Sequence, residues 1–166
     1  MKNHAEQNYR NSTLSDLKYR REIIKIKIKR WNDTMKLINI YDIASAISRL
    51  HEQNIIHCNI CPENIFIDES FYLKVRNIKM SRQKSKKYNK SKARNTIPYI
   101  APETVLKGEY SKASDVFTFS LIVYLIITEM EPYEEYHLDH DYNKFYNVVL
   151  HEKLPQFNSP VSTAFK

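Results

Sequence analysis

One glycine in 166 residues, Gly108, is the feature that most restricts this chain. A G-x-G-x-x-G turn or a Walker loop needs several glycines at fixed spacing, because their backbone must approach a phosphate closely. A single glycine can build neither. Two cysteines, Cys58 and Cys61, likewise exclude a disulfide framework and point to a reducing compartment.

The length is that of one domain and is sufficient for a core of its own. A hydrophobic share of 42% with 12% aromatics is not a disordered composition. The formal charge of +7 permits an acidic partner, nucleic acid or an anionic membrane without choosing among them. Lys, Asn and Ile together make up 51 of the 166 residues. All three have A/T-rich codons, so the basic balance carries little functional weight. Residues 1–17 are polar and hold no apolar leader segment. The longest uncharged run covers residues 116–128, too short to span a bilayer and suited to a buried helix. These absences predict a cytoplasmic protein with no membrane span.

Residues 1–11 read as a mobile lead-in and 12–166 as one domain. Ser12, Ser15 and Asp16 can cap a helix start. Residues 23–30 then alternate, with Ile24, Ile26 and Ile28 between lysines, which predicts a strand or an exposed extension. Asn32 or Asp33 can cap a long helix over 34–53, with Leu37, Ile40, Ile43, Ala44, Ile47 and Leu50 on one stripe. A polar turn over 57–64 follows, broken by Pro62. Two short strands, 65–67 and 72–76, flank a turn at 68–70. Residues 79–94 carry eight basic side chains and no acidic one, whereas 129–141 carry six carboxylates and no Lys or Arg. Helices are predicted over 111–129 and 143–152. The class is mainly α with a small β-hairpin.

Four segments in order resemble the C-terminal lobe of a eukaryotic protein kinase, nearest to the tyrosine-kinase-like group. His57-Cys-Asn-Ile-Cys-Pro-Glu-Asn64 is similar to the catalytic-loop pattern His-Arg-Asp-Leu-Lys-Pro-Glu-Asn. Leu73-Lys-Val-Arg-Asn-Ile-Lys79 sits where a strand leads into Asp-Phe-Gly. Asn95-Thr-Ile-Pro-Tyr-Ile-Ala-Pro-Glu103 resembles the end of the activation segment, and Asp115-Val-Phe-Thr-Phe-Ser120 the start of the central helix. The resemblance runs from about Leu14 to the C-terminus. It implies a C-lobe with the N-lobe and the last helices missing from this chain, and so a partial domain or a fragment of a longer one.

The departures from the pattern decide the expected function. The position that accepts the substrate hydroxyl proton is Asn59, and an amide is no base near neutral pH. The phosphate-neutralising Lys is Cys61. The metal-binding Asp is Asn77, followed by Ile78 and Lys79, which leaves Asn64 alone of the metal set. ATP and Mg²⁺ belong to the family, yet this set gives them little to bind, so no cofactor is expected to be required. Phe66 falls at the floor of the nucleotide pocket and is larger than the aliphatic residue usual there. His57, Pro102, Glu103 and Asp115 are expected in structural roles. Ser85, Tyr88, Ser91 and Thr96 are phosphate acceptors in the basic loop, where the phosphate-reading Arg of the catalytic loop is Cys58. The expectation is a catalytically inactive interaction module whose helices or acidic 129–141 loop bind a protein, another kinase domain among the options. The alternative is a fragment of an ATP-dependent Ser/Thr or Tyr kinase whose N-lobe lies outside the chain.

Three weaker signals are set aside. Cys58-Asn-Ile-Cys61 lacks the strand–helix setting of a thioredoxin-like site. His137 and His140 among carboxylates form a loop that ordinarily faces water rather than a metal. The basic stretches carry few stacking aromatics, which disfavours nucleic acid.

Overall fold

The computed structural model describes residues 14–68, 72–76, 97–138, 141–151 and 153–155, with backbone alone for 14–20. Among the described residues, five α-helices and one two-stranded antiparallel sheet make up the regular structure: α1 Leu14–Ile28, α2 Asp33–Glu52, β1 Ile65–Ile67, β2 Leu73–Val75, α3 Pro102–Lys107, α4 Lys112–Thr128 and α5 Tyr142–Leu150. Single 3₁₀ turns lie at Pro62–Asn64 and Glu134–Tyr136.

The stretch whose alternation predicts a strand is instead the second half of α1. Ile24 and Ile28, four residues apart, are buried with Trp31, while Ile26 is 51% exposed. A strand would have put all three isoleucines on one face. The helix wins because a four-residue step meets the core at Ile24 and Ile28, and the same step carries Arg21 and Lys25 to one partner, Glu131.

α2 begins where its cap predicts, with Asn32 accepting from the Met35 N–H at 2.9 Å. Its buried Asn39 is the clamp on the hairpin. Asn39 Oδ1 accepts from the Leu73 N–H at 2.7 Å and Asn39 Nδ2 donates to the Met35 carbonyl at 2.9 Å, so a fully buried amide is satisfied at both ends. In the hairpin, Ile65 pairs with Val75, Phe66 with Lys74 and Ile67 with Leu73.

α4 is the buried axis. A reciprocal Ser111–Ser114 capping box starts it, and Leu121, Ile122, Leu125 and Ile126 are buried in the core with Ile43 and Ile47 of α2. It ends at Glu129 in the left-handed region, φ 62°, where Glu129 also pairs with the buried Lys36 at 2.8 Å. α3 is a six-residue helix that sequence periodicity is too short to register; Pro102 opens it and Gly108 closes it at φ 76°. No atom lies within 4 Å of where a Gly108 Cβ would stand, so the dihedral alone calls for glycine. Elsewhere among the described residues the left-handed region is filled by Asn54, Cys58, Glu129, Tyr133 and His137. None of the described helices is long and apolar enough to cross a membrane.

Candidate functional site

The turn between α2 and β1 carries His57, Cys58, Asn59, Cys61 and Asn64, and Phe66 follows on β1. It is held from below by Asp115 in the first turn of α4. Asp115, 2% exposed, accepts from the His57 N–H at 2.7 Å through Oδ2 and from the Cys58 N–H at 2.9 Å through Oδ1; His51 Nε2 lies 3.0 Å from Oδ2. From α4, Asp115 thus engages both carboxylate oxygens with a loop 57 or 58 positions away. Between this turn, α3 and α4 lies a cavity of about 10 Å³, room for about one water at most.

His57 is fully buried, and its ring bridges turn and hairpin. Nε2 lies 2.9 Å from the Arg76 carbonyl and Nδ1 accepts from the Asn59 N–H at 3.2 Å. This pattern assigns the neutral tautomer with its proton on Nε2. Burial holds the ring below its ordinary pKa, against the opposing pull of the Arg76 carbonyl and Asp115.

Asn59 contributes its carbonyl to Asn64 Nδ2 at 2.8 Å, and its side-chain oxygen faces Cys61 Sγ at 3.7 Å. Asn64 Nδ2 is 3.3 Å from the same sulfur. Cys61 is buried; desolvation, then the charge of Glu63, push its thiol well above the usual range, so it stays protonated and is a poor nucleophile.

Sequence reasoning missed a second constellation next to this turn. Glu63, 8% exposed, is ion-paired with Arg21 of α1. Glu131 lies 3.0 Å from Lys25 Nζ, and its other oxygen accepts from the Tyr99 hydroxyl at 2.8 Å. The Arg21 guanidinium stands 5.7 Å from the centre of the Tyr99 ring. Beside these groups opens a cleft of about 430 Å³ lined by Arg21, Glu22, Lys25, Glu131, Glu134 and His137 among others. The signal was present as an i, i+4 basic pair, but it has meaning only once α1 is read as a helix.

Pro102 and Glu103 are the first two residues of α3, and among the described residues Glu103 has no ion-pair partner. Phe66 is 41% exposed and lies under the Arg76 guanidinium. Asn77 and the candidate phosphate acceptors Ser85, Tyr88, Ser91 and Thr96 lie outside the described residues, as do the lead-in 1–11 and His140. Among the described residues no group of three or more His, Cys, Asp or Glu side chains is arranged to hold a metal ion.

A buried aspartate under a His-led turn, a Pro-Glu-Asn 3₁₀ turn, a two-stranded hairpin and an Ala-Pro-Glu helix fit a partial protein-kinase-like domain. The chain belongs to that family: the protein kinase domain matches residues 10–165. It is 30% identical over 125 residues to an Aurora kinase of Saccharomyces cerevisiae, covering 75% of this chain and 34% of the yeast protein. It is 31% identical over 121 residues to the dual specificity protein kinase shkC of Dictyostelium discoideum, covering 69% of this chain and 23% of that one. With the L-type lectin-domain containing receptor kinase VIII.1 of Arabidopsis thaliana the figures are 32% over 110 residues, 63% and 15%. The chain therefore spans about a third or less of the length of these relatives.

Proposed function

We propose that this chain is a kinase-like C-lobe that does not transfer phosphate and acts by binding a protein. One observation supports the reading: the turn is firmly hydrogen-bonded, and Asn59 is the residue at the position that the resemblance gives to the proton acceptor. His57, Asp115 and the hairpin hold the turn with a full set of hydrogen bonds. An amide in that place orients a hydroxyl but takes no proton from it. The surrounding donors are amides, a protonated thiol and backbone groups, and the buried carboxylate of the turn, Glu63, is committed to Arg21. A hard dication that seeks carboxylate oxygens fits such a set poorly, so neither Mg²⁺ nor ATP is required. Asn77 in the Asp-Phe-Gly position adds to this on sequence grounds; a tyrosine-kinase-like ancestry is part of the same reading.

Support for an interaction role comes from α2, whose Leu37, Ile38 and Tyr41 are exposed. The acidic loop has less to offer than its composition implies. Among the described residues Glu129 pairs with Lys36, Glu131 with Lys25 and Tyr99, and the exposed Asp141 caps α5, which leaves Glu134 and Glu135 facing outward without such a role. A partner of the kinase-domain class and a cytoplasmic location belong to the same reading. The basic-loop hydroxyls Ser85, Tyr88, Ser91 and Thr96 remain its candidate phosphate acceptors.

A second reading, a fragment of an active phosphotransferase whose N-lobe lies outside this chain, is favoured by the small share of each relative that the chain covers. The test is transfer of labelled phosphate from Mg-ATP to a generic substrate. The inactive reading expects the signal of the Asn59→Ala control; transfer clearly above that control would refute it.

A further inference from the structure

Arg76 leaves β2 with its backbone clamped on both sides. Its N–H donates to the Asn64 carbonyl at 2.8 Å, and its own carbonyl lies 2.9 Å from His57 Nε2. The side chain therefore starts from a fixed point, and its guanidinium carbon lies 3.9 Å from the centroid of the Phe66 ring. β1 alternates buried, exposed, buried, so Ile65 and Ile67 enter the core while Phe66 faces outward. Lys74, the register partner of Phe66, is drawn aside to Asp68 at 2.7 Å. Arg76 is the cation on the ring.

We propose that Arg76 covers the face of Phe66, the residue read as the floor of the nucleotide pocket, so that the chain weakens adenine binding with its own side chain and not only through missing metal ligands. This inference rests on the reading of Phe66 as that floor. A guanidinium over an aromatic face is held by the ring quadrupole and by planar stacking, the same two attractions a purine would use. A base must displace the cation before it can stack. Arginine stays charged across the accessible pH range, so deprotonation does not lift the cover. The displacement corresponds to a loss of about two- to thirtyfold in affinity, the span of a single cation–π contact.

The probe is adenosine, which carries no phosphate, so that removing the Arg76 charge does not bias the comparison. Its affinity for the full chain is measured by saturation-transfer NMR for the wild type, Arg76→Ala and Arg76→Gln; the Gln variant keeps an aliphatic stem should Ala impair folding. Both variants are expected to bind about two- to thirtyfold more tightly than the wild type. The gain is expected to vanish in Arg76→Ala/Phe66→Ala. Equal affinity in wild type and both single variants, or no binding in any of them, overturns the proposal, as does a gain that survives loss of Phe66. Failure of the inactive-lobe reading is scored separately, by labelled-phosphate transfer, so the two outcomes are distinguishable.

Discussion

Asp115 Oδ1 accepts the N–H of Cys58 at 2.9 Å while Cys58 holds φ at 65°, in the left-handed region that a cysteine ordinarily avoids. Such a conformation persists only where the surroundings over-determine it. Here the neighbouring N–H of His57 is taken by Oδ2 of the same carboxylate, which fixes two successive peptide units at once.

Asp115→Ala is accordingly expected to destabilise the chain by about 3 kcal/mol, since it leaves two buried N–H groups without their charged acceptor and releases a strained residue. Urea denaturation measures this. A loss below about 1 kcal/mol would mean that the turn keeps its shape without Asp115.

His57 gives the chain a pH response with a definite sign. Its folded pKa lies below the ordinary 6.5, chiefly through burial. Protonating Nδ1 would set an N–H against the N–H of Asn59. The unfolded chain therefore binds the proton more readily, so stability rises with pH wherever that difference operates. The contribution is fully present above pH 6.5 and declines as pH falls through the folded pKa. A melt at pH 5.5 is expected below one at pH 7.5, and His57→Gln should flatten that slope. An unchanged slope in His57→Gln would assign the response to another group.

Arg21 and Lys25 share α1, yet they should differ sharply in effect. Arg21→Ala leaves the buried Glu63 carboxylate without its cation, expected to cost about 3–5 kcal/mol. Lys25 is a quarter exposed and Glu131 keeps the Tyr99 hydroxyl, so Lys25→Ala should cost about 1 kcal/mol or less. Denaturant midpoints of the two variants decide the matter; similar losses would contradict the account.

Much of the fold was legible locally. Asn32 and Ser111 marked the starts of α2 and α4, and two short runs flanking the 68–70 turn marked β1 and β2. α1 was misread because Ile24, Ile26 and Ile28 fit a two-residue repeat, while the core accepts a four-residue step. α3 is too short for any periodicity to show. Of the site, the link between His57 and Asp115 spans 58 residues, so no local pattern encodes it; only the family resemblance pointed there. The Arg21, Glu63, Glu131 and Tyr99 group left only the i, i+4 spacing of Arg21 and Lys25 as a trace, because charged side chains in a sequence read as solvated until the fold buries them.

The most direct measurement of the central claim is a thermal melt of the chain with and without Mg-ATP. The account predicts one cooperative transition that the nucleotide does not move. Ligand at about 100 times its dissociation constant would add about 2.7 kcal/mol, raising the midpoint by about 5–10 °C for a chain of this size. A shift of that order would contradict the account, because it would mean that the turn carrying Asn59 and Asn64 still holds nucleotide and metal.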